Sequence, residues 1–230
     1  MRDLPFKNRH DAGRRLARRL ELYRNVPNVL VLGLPRGGVP VAAEVASHLE
    51  APLDVFVVRK LGVPGHEELA MGAIASGGFE VLNDDVVDAL RIPPDVIAGV
   101  AADELVELTR REAAYRDGRP PLDVRGRQVL VVDDGLATGS TMLAAVRALR
   151  PQGPAKLIVA VPVAPPSTLM TLEEAADEVV CLYAPPSFYG VGQFYEDFGQ
   201  TTDDEVRAAL RRVSPCPAPP TGVNVTHLRQ

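Results

Sequence analysis

Short apolar runs recur along the chain, at residues 29–32, 53–58, 128–132, 156–161 and 178–182. Each is too short for a helix, and several are bounded by glycine, proline or acidic turn residues, so each reads as a strand. Between them lie longer stretches of helical spacing, at about 39–49, 94–115, from about 140 to 150, and 167–176. The segment 29–58 is strand, glycine-rich turn, helix and strand, which is a βαβ unit. Ser76-Gly77-Gly78, flanked by apolar residues 73–75 and 79–82, predicts an antiparallel hairpin. Pro151 and Gly153 stop the helix that ends near Arg150. Strands that alternate with helices predict an α/β protein with a mainly parallel, doubly wound sheet flanked by helices.

Ahead of the first strand, Ala12, Leu16, Leu20 and Tyr23 share helical spacing over 11–23, while Arg14, Arg15, Arg18 and Arg19 take the other faces. A solvated basic face is expected there, rather than a docking site for an anionic partner. The end of the chain, 214–230, carries Pro215, Pro217, Pro219 and Pro220 and is expected to be an irregular tail.

A chain of 230 residues supports one sizeable core, so residues 1–213 are expected to form a single domain. The net charge of −5 argues against a nucleic-acid partner, since any anion site must be local. Cys181 and Cys216 match no zinc-ligand spacing and are too few for a disulfide framework, which fits a reducing, cytoplasmic setting. No apolar run approaches the roughly 18 residues of a membrane span. The charged start, with Arg2, Asp3, Lys7 and Arg9, lacks the apolar core of a signal peptide, so no membrane partner is expected.

The chemistry concentrates in residues 129–141, Val-Leu-Val-Val-Asp-Asp-Gly-Leu-Ala-Thr-Gly-Ser-Thr. Here a buried strand delivers Asp133 and Asp134 and then small and hydroxyl residues at a helix start. Free N–H groups and the positive end of the helix dipole favour a phosphate, and Thr138, Ser140 and Thr141 add hydroxyl donors. Carboxylates beside a phosphate suit ribose hydroxyls or a magnesium ion, which takes few protein carboxylates and fills its shell with water and substrate oxygens. A second turn, Gly33-Leu34-Pro35-Arg36-Gly37-Gly38, follows the first strand. Its glycines let backbone approach an anion, and Arg36 supplies fixed positive charge.

Residues 129–141 resemble the 5-phosphoribosyl-1-pyrophosphate (PRPP) signature of the type I phosphoribosyltransferases, most closely its adenine phosphoribosyltransferase version. The resemblance implies that Asp133 and Asp134 hold the ribose hydroxyls, and Mg2+ directly or through water. It also implies that Gly135 and the stretch Ala137, Thr138, Gly139, Ser140 and Thr141 wrap the 5-phosphate. Pro35, Arg36, Gly37 and Gly38 resemble the family's pyrophosphate loop, with a cis peptide expected at Pro35-Arg36. Arg59-Lys60 resembles the family's step before its flexible loop. Lys60 is thus a candidate pyrophosphate contact, Arg59 is open between acceptor and fold, and 61–68 is expected to be a mobile lid. His66, Glu67 and Glu68 in that lid are candidate acid-base groups, with solvated loop charge the favoured reading.

Residues 188–195 resemble the family's hood, set at about 184–200, and Phe188 and Tyr189 are its candidate acceptor contacts. Two positions depart from the 6-oxopurine pattern. Phe194 stands where those enzymes carry a base-contacting aspartate, and Ala137 where they carry an acidic group. The resemblance spans roughly 29–198 and implies an Mg2+-dependent transferase that moves phosphoribosyl from PRPP to a nucleobase-like acceptor. Arg36, Lys60, Asp133 and Asp134 would be its catalytic set and a homodimer its assembly. The alternative is a non-catalytic PRPP-sensing regulator.

Overall fold

The computed structural model describes residues 5–121 and 123–213, so the proline-rich tail and Cys216 lie outside the described residues. In chain order the elements are α1 (Arg9–Arg19), β1 (Val29–Gly33), α2 (Gly38–Leu49), β2 (Leu53–Val55), β3 (Val58–Val63), β4 (His66–Ala75) and β5 (Phe79–Leu82). They continue with α3 (Asp84–Leu90), α4 (Pro94–Arg116), β6 (Gln128–Val132), α5 (Ser140–Leu149), β7 (Lys156–Val163), α6 (Pro166–Glu173), β8 (Glu178–Tyr183) and α7 (Asp203–Val213). Five strands form a parallel sheet in the order β2-β1-β6-β7-β8, and β3, β4 and β5 form a separate antiparallel sheet.

The central runs are continuously apolar because both faces of the parallel sheet are covered. Alternate residues of one run go to opposite cores. Val29, Val31, Leu130, Val132, Ile158 and Ala160 face the layer built with α1, α2, α4 and α7. Leu30, Leu32, Val129, Val131, Leu157 and Val159 face the layer of α5 and α6. This is the expected doubly wound arrangement.

Some boundaries differ from the sequence reading. The run 53–58 is not one strand: it pairs with β1 as far as Val55, then crosses at Phe56-Val57 into the antiparallel sheet. The segment 61–68, expected as a lid loop, is largely the turn end of the β3–β4 hairpin, with only Pro64-Gly65 outside the strands. On β3, Leu61 and Val63 still face the core, whereas His66, Glu67, Glu68 and Leu69 at the start of β4 are all exposed, so no alternation marks that strand end. Helix α1 stops at Arg19, with a single 3-10 turn over Glu21–Tyr23. The short α3 and the carboxyl-terminal α7 were not anticipated, although Asp203, Asp204 and Glu205 in α7's first turn are placed to favour its dipole.

The long helix α4, unexplained by the resemblance, braces the junction between the two sheets. Arg59 on β3 bonds Glu104 at 2.6 Å, so this arginine serves the fold. Near the other end of α4, Arg116 is buried. Its Nε donates to both carboxylate oxygens of Asp54 on β2 at 3.0 and 3.1 Å, Nη1 to Glu112 at 2.9 Å, and Nη2 to the Val55 carbonyl at 3.0 Å. Removing one member of such a buried pair strands the other charge. Arg116→Ala is expected to cost about 3–5 kcal/mol in urea unfolding. Arg110→Ala, whose exposed side chain on the same helix pairs with Glu107, should stay within about 0.5 kcal/mol. Similar losses in the two variants would contradict the bracing role.

Candidate functional site

Strand β1 is an interior strand of the parallel sheet, with the edge strand β2 on one side and the central strand β6 on the other, so the strand order reverses at β1. Open α/β sheets bind ligands where the strand order reverses, at the carboxyl ends of the strands. Gly33 at the end of β1 pairs with Val132 at the end of β6. The two turns singled out in the sequence, 33–38 and 133–141, therefore leave the sheet side by side. The Leu34 N–H donates to the Val132 carbonyl at 2.9 Å, which locks one turn to the other.

Their contact depends on missing side chains. A Cβ at Gly37 would lie 2.0 Å from Asp134 Oδ2, and one at Gly38 would lie 2.7 Å from the Val132 carbonyl oxygen and 2.8 Å from Asp133 Cα. The Pro35-Arg36 peptide is cis, as expected. Arg36 is partly exposed, 3.8 Å from Asp203 at the start of α7.

The backbone N–H of Asp134 donates to Asp133 Oδ1 at 2.8 Å, which holds the Asp133 carboxylate against the turn. Burial, and then the charge of Asp134, push the Asp133 carboxyl well above the usual carboxylate range. Burial also raises Asp134, opposed by the hydrogen bond and charge of Arg9. Arg9 Nε lies 2.7 Å from Asp134 Oδ2. The sequence reading placed Arg9 only in a charged amino terminus. Arg9 follows the Asn8 N-cap and begins α1. A cation there opposes the helix dipole, so local preference does not account for it.

After the acidic pair, the chain turns through Gly135, where a Cβ would meet Val191 at 2.6 Å and Val163 at 2.9 Å. Gly139 caps α5 at φ +72°, and a Cβ there would strike Thr168 at 2.5 Å. Thr168 on α6 donates to the Ala137 carbonyl at 2.7 Å, fixing the turn from behind. Because glycine offers no capping side chain, the first-turn N–H groups of α5 face the turn, which is the local condition for an anion. Thr138 and Ser140 hydroxyls are 3.0 Å apart, and both residues and Thr141 are exposed.

The remaining predicted residues divide. Lys60 on β3 is exposed and lines a cleft with Ser140, Thr141 and Arg147, on the α5 side of the site. Phe188 packs against Phe194 with ring centroids 5.4 Å apart, while Tyr189 is 93 % exposed. Phe194 itself is buried with Phe6 and Tyr195, so the position that departs from the 6-oxopurine pattern is filled by core. Tyr195, also missed, donates its hydroxyl to the Asp134 carbonyl. Burial, then the nearby Asp134 charge, raise that hydroxyl's pKa, so it remains a donor. The amino-terminal segment closes against the same region: the Phe6 N–H donates to Phe194 O at 2.7 Å and the Glu196 N–H to Phe6 O at 2.8 Å.

Among the described residues no group of three or more His, Cys, Asp or Glu is placed to hold a metal. Two adjacent carboxylates still fit a magnesium ion that draws most of its ligands from substrate and water. Among the described residues, no helix is long and apolar enough to cross a membrane.

The phosphoribosyl transferase domain model matches residues 5–198. Two Mycobacterium tuberculosis proteins, Rv0571c and MT0597, are each 51% identical over 207 residues, 90% of this chain; both bear the provisional name of phosphoribosyl transferase. The chain spans less than half of their length, 46%. The solved structure of TT1426 from Thermus thermophilus superposes with a TM-score of 0.81 at 42% identity, covering 92% of this chain and all of that one.

The raised Asp133 carboxyl predicts a pH signature. An acid whose pKa is higher folded than unfolded binds more protons when folded, so its destabilising effect is absent below the unfolded value near 4 and develops as pH rises through the folded value. Asp133→Asn keeps the oxygen that accepts from Asp134 and removes the charge. Urea denaturation should show it more stable than wild type at pH 7 by about 1 kcal/mol, with the gain vanishing below about pH 4. A constant difference across that range would contradict the assignment.

Proposed function

We propose, on the premise that the chain belongs to the phosphoribosyl transferase domain family, that it binds PRPP with Mg2+ and transfers the phosphoribosyl group to a nitrogenous acceptor. The observation that carries this reading is the pairing of Gly33 with Val132, which brings both anion-suited turns and the acidic pair together at the carboxyl end of the sheet. Residues 137–141 would take the 5-phosphate, with Gly135 in the turn that leads to it. Asp133 and Asp134 would take the ribose hydroxyls. The turn 35–38 and Lys60 would take pyrophosphate.

In the transfer, the bond from the anomeric carbon to pyrophosphate breaks and a bond from that carbon to the acceptor nitrogen forms. The acceptor's proton leaves to solvent or to a base that no residue here identifies. Positive charge grows on the sugar and negative charge on the leaving group, so fixed donors preorganised around pyrophosphate lower the barrier. Arg36 carries such charge on a turn that is already tied to β6 and α7. Lys60 sits on β3, paired with Ala73 of β4. Closing the exposed tip of that hairpin, residues 64–69, would exclude water from a reactive sugar. Mg2+, held at Asp133 and Asp134 directly or through water, would supply neutralisation of the pyrophosphate charge.

The segment 184–200 would cover the acceptor, with Phe188 and the exposed Tyr189 as its aromatic contacts. A cytoplasmic setting and a homodimer remain part of the proposal. Its rival is a PRPP sensor that keeps the phosphate sites without transfer.

Pyrophosphate release from PRPP and Mg2+, measured across adenine, hypoxanthine, guanine, xanthine, uracil and orotate, separates the two. Release that depends on one base, and falls about a hundredfold or more in Asp134→Asn and Lys60→Ala, is the expected outcome. No release above hydrolysis with any base, while PRPP still binds, would favour the sensor.

A further inference from the structure

Arg9 joins parts of the chain that sequence holds far apart. Its Nε bonds Asp134 Oδ2 at 2.7 Å, its Nη1 donates to the Gly199 carbonyl at 2.6 Å, and its guanidinium carbon lies 4.0 Å from the centroid of the Phe198 ring. A Cβ at Gly37 would come within 3.2 Å of the same Nε. The acidic pair, the pyrophosphate-type turn and the segment over the acceptor side thus meet at one guanidinium whose side chain is only 13% exposed.

The arrangement is more than a staple for the first helix. Asn8 already caps α1 by accepting from the Asp11 N–H, and a cation at the first helical position works against the dipole. α1 is held on α2 and the sheet without Arg9, by Leu16 and Ala17 in the core and by His10, whose Nδ1 lies 3.0 Å from Glu44 Oε1 on α2. What Arg9 adds is orientation. An ionised carboxylate has two oxygens that only accept, and engaging Oδ2 fixes the plane in which Oδ1 presents its lone pairs. The planar guanidinium meets that oxygen and the Gly199 carbonyl together, which a lysine ammonium on its flexible stem does less rigidly.

We infer that Arg9 is a positioning residue: it sets the Asp134 carboxylate for the ribose hydroxyls and ties that carboxylate to the 198–199 strap. The inference rests on the reading of Asp134 as a ribose-binding group, and it adds a determinant of sugar discrimination outside the signature stretch. Arg9 touches no reacting atom in this account. Its effect passes through Asp134.

The test compares ribose 5-phosphate with 2-deoxyribose 5-phosphate, binding to the full chain by calorimetry, in wild type, Arg9→Ala and Arg9→Lys. Wild type should prefer the ribose form by about tenfold, the worth of one charge-assisted hydrogen bond. In Arg9→Ala that preference should fall to about twofold or less, while affinity for the deoxy ligand changes by no more than about twofold. A merely structural role would weaken both ligands equally, and that outcome overturns the inference. So does a full preference retained in Arg9→Ala. If Arg9→Ala does not fold, Arg9→Lys decides: a reduced preference supports positioning, and an unchanged one overturns it. If wild type binds both sugars equally, the ribose reading of Asp134 fails, and the inference with it.

Discussion

The structure depends on the close approach of two turns that leave neighbouring parallel strands. β1 and β6 are paired to their last residues, and the Leu34 N–H closes the gap between the turns that follow. That contact is only sterically allowed because residues 37 and 38 have no side chain. Two carboxylates are half-buried where the turns meet, and their loss of solvent raises both of them. The covered sheet, the bracing by α4 and the aromatic cluster of Phe6, Phe194 and Tyr195 hold that end of the sheet in place.

Much of the parallel sheet was legible because its strands are short, wholly apolar and end in turn chemistry. The bounds of β6 and the end of α5 follow from the run before Asp133 and from Pro151. The hairpin at 76–78 was legible from its paired glycines. The crossing at Phe56-Val57 was not, since the apolar run passes unbroken from one sheet to the other and only strand partners distinguish them. The lid was misread as a loop for a related reason: at 61–68 glycine, proline and exposed charge mimic a connection, whereas cross-strand pairing makes it a hairpin.

The site shows the same division. The acidic pair and the small, hydroxyl-rich turn announce themselves locally, because strand end, carboxylates and helix start are contiguous. Arg9 and Tyr195 do not. Each reaches Asp134 from a distant part of the chain, and an isolated arginine or tyrosine in sequence carries no sign of its partner. The structure starts α1 at Arg9, two residues before the apolar spacing begins, so even its locally unfavourable place at a helix start is not visible in that spacing. Phe194 is the converse case: it was noted as a departure from a base-binding pattern, and its burial shows that packing fills that place.

We propose that residues 133–141 and 35–38 form one PRPP site. A crystal structure of the chain with PRPP and Mg2+ is the decisive measurement. The 5-phosphate is expected against the N–H groups and hydroxyls of 137–141, the ribose hydroxyls at Asp133 and Asp134, and pyrophosphate at 35–38. PRPP bound elsewhere, or an empty site at saturating ligand, would contradict it.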